Sequence, residues 1–212
     1  MGYFSRTGTA RQLDLHRALG THCLVSAKGV LRTEGFPYAI DNGAWTAHQQ
    51  GQPFDDGAFV TCIDLLGRAA EWVAAPDIVC GGPPSLAMSL RWLAWCLDRT
   101  ERVLLPVQNG MTAADLAPHL SPRVGVFVGG DDSFKEGTMA MWAALARRHG
   151  AYCHVGRVNT KRRIELCALA EVDSFDGTTW TRFAVNVAKV NGWRIAAVEA
   201  AQKQQHLWDL HA

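Results

Sequence analysis

The chain contains no apolar run approaching the ~20 residues that would span a membrane. No signal peptide is visible, and Arg6 and Arg11 interrupt the N-terminus early. Its six cysteines, Cys23, Cys62, Cys80, Cys96, Cys153 and Cys167, form no CxxC pair and no zinc-like spacing. That predicts buried thiols in a reducing cytoplasm instead of a disulfide framework or a metal finger. Charge of one sign is also missing: the formal net charge is +1 over 212 residues. Bulk charge therefore attracts no particular partner, and any contact with nucleic acid must come from a local patch. There is no low-complexity tract and no Pro/Ser linker, so residues 1–212 read as a single domain with one sizeable core.

Three further absences narrow the chemistry. No GxGxxG turn follows the first strand, where Gly8 stands alone, and this disfavours an open doubly wound sheet. No lysine stands at a strand end to form a Schiff base, which disfavours a barrel lyase or isomerase cradling phosphate on Gly129-Gly130 and Gly156. Neither Ser26 nor Cys80 has a histidine at a recognisable spacing, which excludes a serine or cysteine hydrolase.

What the chain does have is a repeated pattern of short apolar stretches ending in polar groups or glycine. Tyr38-Ala39-Ile40 ends in Asp41-Asn42-Gly43, and Trp72 to Pro76 ends in Asp77. Val103 to Val107 ends in Gln108-Asn109-Gly110, and Gly125 to Val128 ends in Gly129-Gly130. Tyr152 to Val155, which holds His154, ends in Gly156, and Val172 to Phe175 ends in Asp176-Gly177. Helical periodicity lies between them, most clearly from Ser85 to Leu97, with helices also expected over Ala10 to Leu19, Pro53 to Ala70, Thr138 to Arg148 and Thr160 to Ala170. A last helix starts near Arg182, with a break placed at Asn191-Gly192. Counting gives eight strands alternating with helices. The fold class is therefore α/β, a compact (β/α)8 TIM barrel.

In such a barrel, catalytic residues sit at the C-terminal ends of strands. Asp41, Asp77, Gln108, Gly129, Gly130, His154, Gly156 and Asp176 all fall there. One such aspartate alone reads equally well as a helix N-cap. Three, with a carboxamide and a Gly-Gly, suit a purine: carboxylates accept from guanine N–H groups, and a carboxamide donates to its carbonyl. A remaining carboxylate could attack a sugar carbon, as in retaining glycoside chemistry. Trp45 and Trp180 follow two of the acids and read either as core or as base-stacking faces. Asp173 reads as structural, and Asp55-Asp56 and Asp131-Asp132 as loop or cap residues.

In these motifs the chain resembles the queuine/archaeosine tRNA-guanine transglycosylase superfamily. Phe4-Ser5-Arg6-Thr7-Gly8-Thr9 looks like that family's first strand and glycine turn, and Asp41-Asn42-Gly43 is similar to its Asp-Ser-Gly-Gly. Ser89-Leu90-Arg91-Trp92 matches a helix signature, and Val107-Gln108-Asn109-Gly110 looks like Val-Gln-Gly. Gly129-Gly130 matches its Gly-Gly, and His154-Val155-Gly156 stands at its Met-Gly strand end. Val172-Asp173-Ser174-Phe175-Asp176 resembles Val-Asp-Met-Phe-Asp. The family's zinc motif after the nucleophile strand is absent, since no cysteine follows Cys167. The chain looks most like the compact phage-type members thought to place 7-deazaguanines into DNA.

The resemblance implies base exchange with Asp176 as covalent nucleophile and Asp41 as assisting acid or base. Asp77, Gln108, Gly129, Gly130 and Gly156 would read the base, with His154 as pocket wall. It implies no metal and no organic cofactor, and two partners: a 7-deazaguanine base and nucleic acid, DNA before tRNA. A homodimer is left open, no membrane is involved, and the location is cytoplasmic, in the host if the chain is phage-encoded. A basic cluster of Arg157, Lys161, Arg162 and Arg163 follows the strand end at Gly156. It reads either as a solvated helix end or as a clamp for polymer phosphates. The alternatives are exchange on tRNA and a non-catalytic nucleic-acid-binding barrel.

Overall fold

The structure is a computed structural model and describes residues 1–5 and 9–209. Eight parallel strands follow one another round a closed barrel in sequence order. They are β1 (Gly2–Ser5), β2 (His22–Ser26), β3 (Tyr38–Asp41), β4 (Val73–Ala74), β5 (Val103–Val107), β6 (Val124–Val128), β7 (Cys153–Val155) and β8 (Ser174–Asp176). Closure comes from β8 pairing with β1, Tyr3 opposite Asp176. The expected (β/α)8 fold is thus the observed one.

Strand periodicity sorts the side chains into two layers. One set, Tyr3, Leu24, Ala39, Trp72, Ala74 and Leu104 with Phe127 and Tyr152, fills the barrel interior. The alternate set, including Phe4, Cys23, Val25, Ile40, Val73, Val103, Leu105, Val126, Val128 and Val155, faces the surrounding helices. Gly125 belongs to the inner set, and a methyl there would strike the Leu104 side chain and the Tyr152 carbonyl. The same parity puts Asp41 on the side of Ala39, His154 on the side of Tyr152, and Asp176 on the side of Ser174. Each points into the barrel near its C-terminal mouth.

The helices are α1 (Ala10–Ala18), α2 (Ala44–Gln49), α3 (Asp56–Leu66), α4 (Pro83–Leu97), α5 (Ala113–Leu116), α6 (Asp132–Arg148), α7 (Lys161–Leu169), α8 (Thr179–Arg182) and α9 (Ala184–Asp209). Two short ones, α2 and α5, have too few turns to show a periodic signal in the sequence. α6 starts six residues before the expected Thr138, because Asp131 caps it by accepting from the Phe134 N–H. Asp55 caps α3 in the same way through the Ala58 N–H. The helix expected from Pro53 begins only at Asp56. The final helix is not broken at Asn191-Gly192: Asn191 is buried, accepts from the Arg194 guanidinium, and α9 runs on past it along α7, α8 and α1. Five cysteines are buried and Cys80 is exposed. No described helix is long and apolar enough to cross a membrane.

Candidate active site

The mouth of the barrel gathers most of the residues that the motifs single out. Asp176 ends β8 and is 8% exposed. Its Oδ2 lies 3.0 Å from His154 Nε2 on the neighbouring strand, and its Oδ1 faces the Arg157 N–H at 3.3 Å. The Arg157 N–H is a donor, and His154 Nε2 is one in the tautomer that carries its proton there. The His154 ring is fully buried among Tyr3, Trp72 and Phe127, with centroids 5.7, 4.5 and 4.9 Å away. Burial lowers its pKa below the ordinary histidine value, against the pull of Asp176. His154 also touches Asp176, the carboxylate expected to react. The signal for this was the shared parity of Tyr152 and His154 with Ser174 and Asp176 on adjacent strands.

Asp41 ends β3, with its backbone opposite Ser26. Burial, then the neighbouring Asp176 and Asp77, push its carboxyl up to about 7. The Gly43 N–H, 3.3 Å from Oδ2, works against the rise. So does the Ser26 hydroxyl, which is close enough to be felt but buried without an aligned hydrogen bond. Gly43 has φ 83°, and a side chain there would collide with Lys28. The turn after Asp41 therefore requires glycine.

Asp77 lies three residues past β4 and is held on both sides. Asn42 Nδ2 donates to its Oδ1 at 2.8 Å and Gln108 Nε2 to its Oδ2 at 2.6 Å. Burial raises its carboxyl to about 6, with these two donors opposing. Gln108 also donates to the Ile78 carbonyl and meets Ser85 Oγ, while its Oε1 accepts from the Gly81 N–H. The carboxamide is thus committed to the protein and positions Asp77. Asp77 still has lone pairs to offer a ligand. Asn42 was part of a motif but not singled out; its second bond, to the Ala75 carbonyl, ties the β3 and β4 ends together. α4 completes the support: Ser85 Oγ accepts from the Ile78 N–H, and Ser89 Oγ donates to the Pro76 carbonyl.

The glycines are less open than the motif suggests. The Gly129 N–H is bonded to the Val107 carbonyl, and the Gly156 N–H to that of Val128. Gly130 accepts from the Arg157 guanidinium at 2.8 Å. A Cβ at Gly156 would press on the Phe127 ring and approach Asp176. The role visible for Gly156 is close packing. Its carbonyl accepts from Lys135, a fully buried lysine of α6 that no sequence pattern marked.

Trp45, on the first turn of α2, is 37% exposed at the mouth, whereas Trp180 is buried in the core. Arg157 lies over the Trp45 ring. The other cations of the basic cluster have acidic partners. Lys161 pairs with Glu165 at 3.5 Å and Arg162 with Glu136 at 3.3 Å. Arg163 bridges Asp132 at 2.6 Å and Glu136 at 2.9 Å. Asp173 accepts from the Cys153 N–H, which bears out its structural reading. Arg6, Thr7 and Gly8, which carry the glycine-turn motif, lie outside the described residues. No protein-family model matches the chain, and no curated protein matches it.

Proposed function

We propose that the chain is a base-exchange transglycosylase that replaces guanine in nucleic acid, DNA before tRNA, with a 7-deazaguanine. The observation that carries this reading is the pair Asp41 and Asp176. Two inward carboxylates share one barrel mouth in contrasting surroundings: donors meet both oxygens of Asp176, while burial keeps Asp41 ready to exchange a proton near pH 7.

Asp176 attacks C1′ of the target nucleotide as the C1′–N9 bond breaks. The bonding pair leaves with guanine, which takes a proton from the Asp41 carboxyl. In the second half, N9 of the incoming 7-deazaguanine attacks C1′ and the ester bond to Asp176 breaks, returning its pair to the carboxylate. The N9 proton passes to Asp41. Asp77 receives the N–H edge of the base, with Asn42 and Gln108 fixing its orientation. The target base must leave its stack to reach this depth, at a cost of a few kcal/mol.

Incubation with labelled guanine and either DNA or tRNA tests the proposal. Label should enter the polymer, more in DNA, and Asp176→Asn should lower incorporation by orders of magnitude while remaining folded. Near-normal exchange by a folded Asp176→Asn protein removes Asp176 from its role.

A further inference from the structure

A second serine, unrelated to Ser26, completes a Ser–His–Asp constellation in the barrel. Ser174 Oγ lies 2.7 Å from His154 Nδ1, and His154 Nε2 lies 3.0 Å from Asp176 Oδ2. The order is the reverse of a hydrolytic triad. Ser174 is fully buried on the inner side of the ring and cannot meet a substrate, while Asp176 stands at the mouth. Here the serine orients, the histidine donates and the aspartate is the group that faces the substrate.

We propose that His154, held in one tautomer by Asp176 and in one orientation by Ser174, is the positioning residue for Asp176 and promotes release of the covalent intermediate. The inference rests on the base-exchange reading. Asp176 Oδ2 is an acceptor, so Nε2 carries the ring proton. In the neutral ring Nδ1 then accepts from the Ser174 hydroxyl. The cage of Tyr3, Trp72 and Phe127 leaves the ring no room to turn away. With Oδ2 pinned, Oδ1 is the oxygen that forms the bond to C1′, and Oδ2 becomes the carbonyl oxygen of the glycosyl ester.

A hydrogen bond to a carboxylate is stronger than one to an ester carbonyl. The His154 bond therefore weakens as the ester forms and strengthens as the C1′–Oδ1 bond breaks and its pair returns to Asp176. It favours the second half of the exchange. Losing it should leave the ester in place longer. A purely structural histidine would instead slow both halves together.

The test measures guanine turnover and, by quenched intact-mass analysis, the fraction of protein carrying nucleic acid. His154→Phe should lower turnover about 10- to 100-fold, the size of a hydrogen bond to a charged group, while the adduct fraction rises. His154→Gln, which keeps an amide donor, should recover most of the turnover. Adduct and turnover falling together in both variants overturns the proposal. Nitrogen-15 NMR of His154 supplies a readout that needs no activity: Nε2–H alone in the wild type, and a mixture of tautomers in Asp176→Ala, which removes the acceptor at Nε2 and leaves a serine hydroxyl that suits either form. A wild-type ring protonated at Nδ1, or an Asp176→Ala ring with an unchanged tautomer, also overturns it. A wild type that shows the Nε2–H ring but no exchange on any polymer contradicts the base-exchange reading, and with it the release role, while the tautomer assignment stands.

Discussion

The Arg157 guanidinium sits 4.1 Å from the centre of the Trp45 ring. Trp45 follows β3 and Arg157 follows β7, which are opposite each other in the closed ring of strands. The contact therefore crosses the barrel mouth above Asp41 and Asp176. Arg157 adopts a left-handed backbone, φ 58°, which costs a non-glycine residue roughly 1 kcal/mol. Its N–H to Asp176 and its guanidinium to Gly130 hold it there.

That cover predicts the behaviour of Arg157→Ala. Trp45 should become more open to solvent, so acrylamide should quench an additional component of tryptophan fluorescence. The component should vanish when Trp45→Phe is added. Unchanged quenching would mean that the stack does not shield the mouth in solution.

Asp41 gives two expectations about pH. Its folded pKa is raised above that of an unfolded aspartate, so the native state holds the proton longer. Stability from this group is full below about pH 4 and is lost as pH rises through about 7. Asp41→Asn should abolish that loss, gaining on the order of 2 kcal/mol over wild type at pH 8 relative to pH 4. This is less than the full shift because Asp41 keeps some exposure. Urea unfolding of both proteins at the two pH values checks it. In turnover, the step that consumes polymer needs protonated Asp41 and should fade above about pH 7. The step that admits the new base needs it ionised, and its limb should lie lower, because esterification removes the Asp176 charge that helps raise Asp41.

Gln108→Ala should act through Asp77. The variant removes a donor that opposes the rise in the Asp77 carboxyl and frees that side chain to move. Affinity for free guanine should drop about tenfold, while affinity for DNA changes little, since the contact involves the base edge alone. Equilibrium dialysis with each ligand separates the two. Equal losses would assign Gln108 and Asp77 to fold maintenance.

The barrel itself was legible because six of its eight strands end in the same way, an apolar stretch meeting Asp, Gln or Gly, and the strands close in sequence order. The inward acids followed from the same period of two. The sequence did not show what occupies each polar group. Gln108 reads as free to meet a ligand until Gly81, Ile78 and Ser85, distant from it along the chain, are brought to its amide. Arg163 reads as an available cation until Asp132 and Glu136 arrive from α6. The Trp45–Arg157 contact joins the start of α2 to the loop after β7, on opposite sides of the ring, and no local pattern encodes such a crossing. α9 continues through Gly192 because packing against α7 and α8 outweighs the roughly 1 kcal/mol helix penalty of one glycine.

The central claim is that Asp176 becomes covalently attached to the sugar. The most direct measurement is peptide mapping by mass spectrometry after denaturing quench of the protein with guanine-containing DNA. A nucleic-acid adduct should map to the peptide carrying Asp176 and be absent from Asp176→Asn. It should disappear when excess guanine is added before the quench. An adduct on another residue, or label exchange into DNA with no adduct at any time point, would contradict the account.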